Sequence, residues 1–238
     1  MKSFSWNGLT LLPQRAVWRE ETRALFVADV HIGKSAAFRA AGIPVPAGAT
    51  RENLVRLDAL IAALAPRTLV VLGDLFHARA AYRDASLAEV VAWRAARRDL
   101  SVRLVAGNHD LKAGPPPAEL GLEIVGEPHH FDGLECRHHP LDDPGGDGPP
   151  ALAGHIHPAA RLAGPGHDRL RLPCFVLRGR QVVLPAFGEF TGSAFLQADA
   201  DTALCVVAGE RLLHIDAREA VQDRQAARLR TAARFVTR

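Results

Sequence analysis

The chain has 238 residues, enough for one large domain or two small ones, and we expect a single domain spanning residues 1–238. Hydrophobic residues make up 48% of the chain and charged residues 23%, a balance that excludes intrinsic disorder and fibrous repeats. The formal net charge is only +3, carried mostly by arginine, so an anionic substrate is permitted but a nucleic-acid partner is not required.

Two features of the sequence predict a protein of the reducing cytoplasm. Residues 1–10 lack the apolar core of a secretory signal, and the most apolar stretch, residues 59–73, is interrupted by a Pro-Arg pair before it could span a bilayer. Cys136, Cys174 and Cys205 are odd in number and far apart, which argues against a disulfide framework or a structural zinc site. We therefore expect a cytoplasmic protein without a membrane segment.

Six short apolar runs have the length and composition of β-strands, and each is bounded by glycine, proline or charged residues. They cover residues 24–28, 68–73, 102–107, 174–177, 181–185 and 203–208.

Helical patterns separate the first three of these runs. In residues 50–64 apolar side chains recur every three or four positions, and Thr50 is the predicted N-cap. In residues 86–99 Ser86 and Glu89 stand at capping-box spacing ahead of an apolar stripe. The order strand, helix, strand, helix, strand predicts parallel strands joined by crossover helices.

The pattern changes after about residue 124, where closely spaced strands predict a second, largely antiparallel sheet. Residues 140–150, PLDDPGGDGPP, predict a mobile surface loop. Residues 217–236 form an amphipathic helical pattern with several arginines, which we interpret as a solvated face rather than a nucleic-acid patch.

Polar side chains form five clusters that each follow a short strand-like segment: ADVHIG, GDLFH and GNHD follow the first three runs, CRHHP follows FDGLE, and GHIHP follows PPALA. Functional groups gather at the carboxyl ends of strands in parallel α/β folds, so we expect the clusters to meet. Asp29 and His31 are two residues apart, as are His155 and His157. In extended backbone both members of each pair would point to the same side.

The clusters together offer seven side chains that can bind metal, none of them a thiolate. They are Asp29, His31, Asp74, Asn108, His138, His155 and His157. Gly73 and Gly107, just before two of them, would let the backbone turn sharply and approach an ion. Mixed oxygen and nitrogen ligands suit Mn²⁺, Fe or Zn²⁺, and seven groups fit two ions that share a carboxylate. Such ions, roughly 3.5–4 Å apart, can hold a hydroxide and clamp the oxygens of a displacement at phosphorus. Any one of these residues alone could be a turn residue or a core histidine, but turn formation does not explain the set.

The order D-x-H, GD, GNHD, H and GHxH resembles that of the calcineurin-like metallophosphoesterases across residues 25–158. The resemblance implies an α/β (α+β) fold, a four-layer αββα sandwich of two mixed β-sheets. It also implies a ligand set. Asp29, His31 and His157 would hold one metal, Asn108, His138 and His155 the other, and Asp74 would bridge the two.

The same resemblance gives roles to residues that do not bind metal. His109 would face the substrate as general acid and Asp110 would orient it, which is chemically sensible because an imidazole delivers a proton near neutral pH. CRHHP offers two histidines; family members place the ligand two residues before the proline, which favours His138 over His139.

A narrower resemblance covers nearly the whole chain. The segments LLPQRAVW, FVADVHIGKSAAFRAAGIPVP, GHIHPAARL, LPCF and LPAFGEFTG are similar to the bacterial DNA ligase-associated metallophosphoesterases, a family of DNA damage response endonucleases. This resemblance implies a nuclease linked to DNA repair that uses two divalent metal ions, manganese first among them. It also implies DNA as substrate and a DNA ligase and a helicase of the same operon as partners. The LPAFGEFTG segment could pack the second sheet or line the cleft.

Six further residues are candidates for substrate contacts because they lie within or close to the metal motifs: Lys34, Arg39, His77, Arg79, His139 and Arg161. Each of the four cations could equally be a solvated loop residue. Two other functions stay open, a small-molecule phosphodiesterase, for instance on 2′,3′-cyclic nucleotides, and a metal-binding scaffold in a ligase and helicase repair complex. The complete set of candidate ligands argues against the scaffold.

Overall fold

The computed structural model describes residues 3–46, 48–83, 85–163, 169–189, 191–192, 194 and 201–216. Its α-helices are α1 (Lys34–Ala40), α2 (Ala49–Leu64), α3 (Ala85–Ala95) and α4 (Asn108–Ala113), with short 3₁₀ helices at Arg79–Arg83 and Ala118–Leu120. The helix predicted over residues 217–236 lies outside the described residues.

Within the described part of the chain, the first sheet contains seven strands in sequence order: β1 (Phe4–Trp6), β2 (Leu9–Leu12), β3 (Ala16–Arg19), β4 (Ala24–Val27), β5 (Thr68–Leu72), β6 (Ser101–Val105) and β7 (Glu123–Val125). Strands β4 to β7 are parallel to one another. Helices α1 and α2 connect β4 to β5, and α3 connects β5 to β6, so the predicted alternation of strands and crossover helices is confirmed. Strands β1 to β3 form an antiparallel extension that the sequence did not lead us to expect.

The second sheet, over the same described ranges, contains eight strands: β8 (His129–Phe131), β9 (Leu134–Cys136), β10 (Ala151–Ala153), β11 (Ala159–Ala163), β12 (Arg169–Arg178), β13 (Gln181–Val183), β14 (Thr202–Ala208) and β15 (Arg211–Asp216). Only β10 pairs in parallel, with β9 and with β13. The other pairs between these strands are antiparallel, which confirms the predicted character of this sheet.

The two sheets pack face to face over an apolar core. Phe26 and Leu72 of the first sheet and Phe175 of the second are fully buried in it. Helices α2 and α3 cover the opposite face of the first sheet with Leu57 and Val90. Each such side chain, fully buried, contributes about 1.5–3 kcal/mol to folding. The predicted sandwich of two mixed sheets is confirmed, and it leaves the strand ends between the sheets free to carry polar groups.

Two details of the helix ends differ from prediction. Helix α2 begins at Ala49 with Gly48 as its N-cap at φ +97°, so Thr50 lies in the first turn and the predicted Thr50 cap is wrong. Helix α3 begins at Ala85, which places Ser86 inside the helix rather than at its cap. A glycine at the first cap supplies the left-handed backbone that brings the chain into the helix.

All three cysteines are free and buried. Burial raises the pKa of each thiol to about 12, so none is reactive near neutral pH. Among the described helices, none has both the length and the apolar character needed to cross a bilayer.

The predicted loop at residues 140–150 is an irregular surface segment. The backbone N–H of Arg180 donates to the carbonyl oxygen of Pro144 at 3.0 Å, and its guanidinium donates to that of Pro149 at 2.7 Å. The same guanidinium pairs with Glu135 at 2.9 Å. Arg180 therefore fastens the middle and the C-terminal end of this loop to the second sheet.

Candidate metal centre

The seven candidate ligands lie together at the carboxyl ends of five strands. They are Asp29 and His31 after β4, Asp74 after β5, Asn108 after β6, His138 after β9, and His155 and His157 after β10. The strands bring together residues that are up to 128 positions apart in the sequence, from 29 to 157. Convergence at strand ends is the arrangement expected of functional groups in this kind of fold.

The first group consists of Asp29, His31 and His157. The Nε2 atoms of His31 and His157 are 3.2 Å apart, and His157 Nε2 is 3.4 Å from Asp29 Oδ1. One ligand atom from each residue lies within 4.8 Å of the others, close enough for a single cation to contact all three.

The second group consists of Asn108, His138 and His155. The Nε2 atom of His138 is 3.0 Å from Asn108 Oδ1 and 3.0 Å from His155 Nδ1. His138 is completely buried, whereas the side chain of the neighbouring His139 is 45% exposed. The geometry thus favours His138 over His139 as the member of this group.

Asp74 lies between the two groups. Its Oδ2 atom is 3.8 Å from His31 Nε2 in the first group, and its Oδ1 atom is 3.5 Å from His138 Nε2 in the second. A carboxylate in this position faces both groups at once, as a bridging ligand would.

The backbone of the candidate ligands is not extended. Asp29, His31, Asp74, His155 and His157 all have left-handed backbone, with φ between 47° and 74°. Asp29 and His31 converge, as do His155 and His157. The predicted reason, that two residues at i and i+2 of an extended strand point to the same side, is wrong. Left-handed backbone costs roughly 1 kcal/mol or more for each residue other than glycine and is concentrated at functional sites.

Two glycines allow the loops to approach one another. Gly73 has φ +80°, and a Cβ atom there would lie 2.0 Å from Nδ1 of His138. Gly107 has ordinary backbone, but a Cβ atom there would lie 2.4 Å from Oδ1 of Asp74. The sharp turn expected at both positions occurs only at Gly73. At position 107 a glycine is needed only because the Cβ atom of any other residue would collide with Asp74.

The hydrogen bonds around the centre fit divalent cations. The Nδ1–H groups of His138 and His157 donate to the carbonyl oxygens of Leu72 and Gly192, at 3.1 Å each, which leaves both Nε2 lone pairs directed inward. Asp29 Oδ1 is buried and accepts no hydrogen bond from the described residues. Inward lone pairs beside an unsatisfied carboxylate oxygen are the donor set that a cation requires.

Two histidines of the centre, His31 and His155, have a lowered pKa, which favours their neutral, ligating form. Burial, reinforced by the charge of Lys34, lowers the pKa of His31 far below its usual range. Burial also lowers the pKa of His155, where the neighbouring His138 adds to the effect. A neutral imidazole is the form that coordinates a metal ion.

His109 lies at the edge of the first group and does not share the ligand positions. Its backbone N–H donates to Asp74 Oδ1 at 2.9 Å, and its ring Nδ1–H donates to the carbonyl oxygen of His77 at 2.6 Å. Asp110 accepts the backbone N–H groups of Phe76 and Gly107 instead of the His109 ring. The prediction that Asp110 orients the ring is therefore corrected. From the third position of helix α4 its carboxylate turns back to the N-cap and fixes the loop.

His77 and Lys34 lie beside His109 and His31. The His77 ring stacks on His109 with centroids 5.0 Å apart, and burial together with the charge of Lys34 lowers its pKa to about 4. Lys34 is buried and interacts electrostatically with the carboxylates of Asp29 and Asp74; burial lowers its pKa, and these carboxylates oppose the shift. Both residues are thus placed at the centre, as expected of substrate contacts.

His139 lies on the outer side of the second group, held by a residue that sequence reasoning missed. Glu127 accepts the backbone N–H groups of His138 and His139, at 2.7 and 2.9 Å, and the His139 ring at 2.5 Å. Burial alone would raise the pKa of Glu127, but these hydrogen bonds outweigh it and lower the pKa. Glu127 lies nine positions before the first residue of the CRHHP motif and belongs to no motif of its own.

The three predicted arginine contacts are exposed and lie further out. Arg39 is on helix α1 and donates to the carbonyl oxygen of Pro46 at 3.2 Å. Arg79 starts the 3₁₀ helix that follows His77. Arg161 lies on β11, four residues after His157.

The LPAFGEFTG segment supports the centre by hydrogen bonds to the loop that carries Asp29. The N–H groups of Phe187 and Gly188 donate to the carbonyl oxygens of Ala28 and Asp29, at 2.8 and 3.0 Å. The segment therefore does both things: it lines the cleft, and it packs into the core.

Three charged residues that sequence reasoning missed anchor this segment. Glu189 pairs with Arg56 of helix α2 at 2.7 Å and with Arg15 at 3.2 Å. The Arg56 guanidinium also hydrogen-bonds the Phe187 carbonyl oxygen and lies over the Phe187 ring at 4.4 Å. Helical spacing alone gave no reason to separate Arg56 from other surface arginines.

The sandwich and its two ligand groups define a metal-dependent hydrolase. A family model for calcineurin-like phosphoesterases matches residues 22–174. The chain therefore belongs to the calcineurin-like phosphoesterase family and is a hydrolase that acts on phosphoester bonds.

Two solved structures were also found to match the chain. The chain is similar to the Pseudomonas putida nuclease MPE, with 39% sequence identity and a TM-score of 0.77 over 90% of this chain and 99% of that one. A phosphoesterase from E. coli, Yfce, is a more distant match, with 17% identity and a TM-score of 0.39 over 81% of this chain and 97% of that one. The search of curated protein sequences gave no match.

Proposed function

We propose that the protein is a binuclear metal-dependent phosphodiesterase that hydrolyses nucleic acid, with DNA as its substrate. The observation that carries the proposal is the placement of Asp74 between two oxygen and nitrogen ligand groups, 3.8 Å from one and 3.5 Å from the other. The choice of nucleic acid rests on the likeness to the P. putida nuclease, at 39% identity over nearly its whole length.

The residues that would hold the two cations are Asp29, His31 and His157 on one side, Asn108, His138 and His155 on the other, and Asp74 between them. When bound, the cations would supply Lewis-acid activation of the phosphate oxygens and of the attacking water. The donor set of carboxylate, amide and imidazole without thiolate suits Mn²⁺, Fe or Zn²⁺, and we propose Mn²⁺ first because the sequence resemblance implies it.

His109 is the proposed general acid. Its Nδ1–H is held by the His77 carbonyl oxygen, so proton transfer is left to Nε2. Lys34 supplies positive charge at the same edge of the centre, where the substrate phosphate would bind. The LPAFGEFTG segment holds the Asp29 loop in place while the substrate exchanges.

A role in DNA repair, with a ligase and a helicase as partners in the cytoplasm, completes the proposal. Its support is the sequence resemblance over the LLPQRAVW, GHIHPAARL and LPAFGEFTG segments.

Turnover on a substrate panel tests the proposed function. The purified protein with Mn²⁺ would be compared on single-stranded DNA, duplex DNA, RNA, 2′,3′-cyclic nucleotides and bis(p-nitrophenyl) phosphate. We expect DNA cleavage that EDTA and Asp74→Asn both abolish and that Asp143→Asn, in the exposed loop, leaves intact. Turnover confined to cyclic nucleotides would replace the proposal with a small-molecule phosphodiesterase.

A further inference from the structure

A cavity of about 290 Å³ opens directly beside the metal centre. Its wall includes the candidate ligand His157, two arginines, Arg15 and Arg171, and the end of the LPAFGEFTG segment at Thr191 and Gly192. None of the functions proposed for the residues of the metal centre involves this cavity. Its volume is at the lower end for a small-molecule site, which suits one nucleotide rather than a duplex.

Arg15 is fixed in place before any ligand arrives. Its guanidinium contacts Glu189 at 3.2 Å and the carbonyl oxygen of Ala186 at 3.4 Å, and its side chain is 19% exposed. Glu189 is shared with Arg56, so one carboxylate lies between two guanidinium groups. Glu189 itself lines the cavity beside Arg15, and the trio of two guanidinium groups and one carboxylate carries one net positive charge.

The second arginine belongs to a β-ribbon formed by strands β11 and β12. Arg171 pairs directly with Arg161 in the antiparallel register, so the two side chains share one face of the ribbon. Both residues are exposed.

We propose that this cavity and the Arg161–Arg171 face of the ribbon bind the nucleotide next to the scissile phosphate, on the His157 side of the centre. The phosphate of that nucleotide contacts the arginines and its sugar and base occupy the cavity. This inference rests on the proposed function, because a nucleic-acid strand across the metal centre is what carries a neighbouring nucleotide into the cavity. Guanidinium groups match phosphate with paired hydrogen bonds, which makes arginine suited to this role.

Binding and turnover of Arg171→Ala and of the double variant with Arg161→Ala test the subsite. The matched control is Arg178→Ala, another exposed arginine on the same strand. The binding assay is fluorescence anisotropy of a labelled single-stranded 12-mer in EDTA at several salt concentrations. The turnover assay uses the same DNA and bis(p-nitrophenyl) phosphate with Mn²⁺.

We expect Arg171→Ala to weaken DNA binding about 5–10-fold, and each lost arginine to reduce the slope of log Kd against log salt by about 1. Hydrolysis of bis(p-nitrophenyl) phosphate, which has no neighbouring nucleotide, should stay within about twofold of wild type. A wild type that cleaves DNA, together with an Arg171→Ala variant whose affinity and salt slope equal those of wild type, would overturn the subsite alone. A wild type that hydrolyses the small ester but neither binds nor cleaves DNA would overturn the proposed function as well.

Discussion

The ring of His109 donates its Nδ1 proton to the backbone carbonyl oxygen of His77 over 2.6 Å. A main-chain carbonyl only accepts, so this contact fixes the tautomer and leaves Nε2 for the substrate. The His77 ring stacks on the same imidazole. The loop after β5 thus positions a residue in the first turn of helix α4, which follows β6, and this relationship depends on the pairing of the two parallel strands.

Replacing His109 with alanine should slow the chemistry and spare the metals. Loss of a general acid typically costs 10²–10⁴-fold in rate, so kcat on DNA should fall by that order. Bis(p-nitrophenyl) phosphate has a good leaving group and should be affected less. The measurements are kcat on both substrates and metal content by mass spectrometry. His130→Ala, an exposed histidine, is the control; full activity of His109→Ala on DNA would refute the acid role.

Glu127 should control the affinity of one cation and not of the other. Its carboxylate accepts three hydrogen bonds from His138 and His139, and partners that orient a metal ligand are typically worth 10–100-fold in metal affinity. We expect Glu127→Ala to weaken one Mn²⁺ site by about that factor in calorimetric titration. Glu127→Gln should weaken it less, because its amide oxygen can still accept. Equal weakening of both sites, or the same effect in the exposed control Glu119→Ala, would contradict this assignment.

A methyl group at Gly107 should disrupt the centre through contact alone. Its Cβ atom would lie 2.4 Å from Oδ1 of Asp74, and the φ of −90° adds no strain. Overpacking typically costs about 1–3 kcal/mol, so Gly107→Ala should lower the free energy of urea unfolding by that order and weaken metal binding. The matched control is Gly126→Ala, whose Cβ would contact no atom within 4 Å. Wild-type metal affinity in Gly107→Ala would show that the loop relaxes without harm to Asp74.

Protonation of Glu135 should make the protein less stable in acid. Burial would raise its pKa, but hydrogen bonds from Arg137 and Arg180 outweigh it and hold the pKa below its usual range. The unfolded chain then binds the proton more readily, so the stabilisation is complete above the unfolded pKa and disappears as pH falls through the folded one. Charged hydrogen bonds contribute roughly 1.5–3 kcal/mol.

The check is urea unfolding of wild type and Glu135→Gln across the acid range. At pH 7 the free energy of unfolding of the variant should be lower by about 1.5–3 kcal/mol, the typical contribution of one charged hydrogen bond. That gap should begin to close as the pH falls to about 4.3, the ordinary glutamate pKa, and should disappear once the pH is below the lower pKa of Glu135 in the folded protein. A gap that is the same at every pH would mean that ionisation of Glu135 does not stabilise the fold.

The parts of the fold that could be predicted are those where one physical signal dominates. Strands β4, β5 and β6 are buried apolar runs of four or five residues, and their order with the helices fixes a parallel sheet. Strands β1 to β3 have three or four residues each, too few for a periodic pattern. A signal was present at Asn7-Gly8, where both residues have positive φ in the two-residue turn between β1 and β2.

The sequence could predict which residues form the candidate site, but not the backbone conformation and the long-range contacts that hold them there. Polar clusters after strands identify Asp74 and Asn108, because strand ends meet at one edge of a sheet. The left-handed backbone at Asp29 could not be foreseen, since sequence gives no sign that neighbouring loops will hold such a conformation. Glu127 and Arg56 act on the site through long-range contacts, which no local pattern encodes.

The central claim is that two cations bind on either side of the Asp74 carboxylate. Anomalous diffraction at the manganese edge from crystals soaked in Mn²⁺ measures this directly. Two peaks are expected, one among Asp29, His31 and His157 and one among Asn108, His138 and His155, with Asp74 contacting both. A single peak, or manganese bound elsewhere on the protein, would contradict the account.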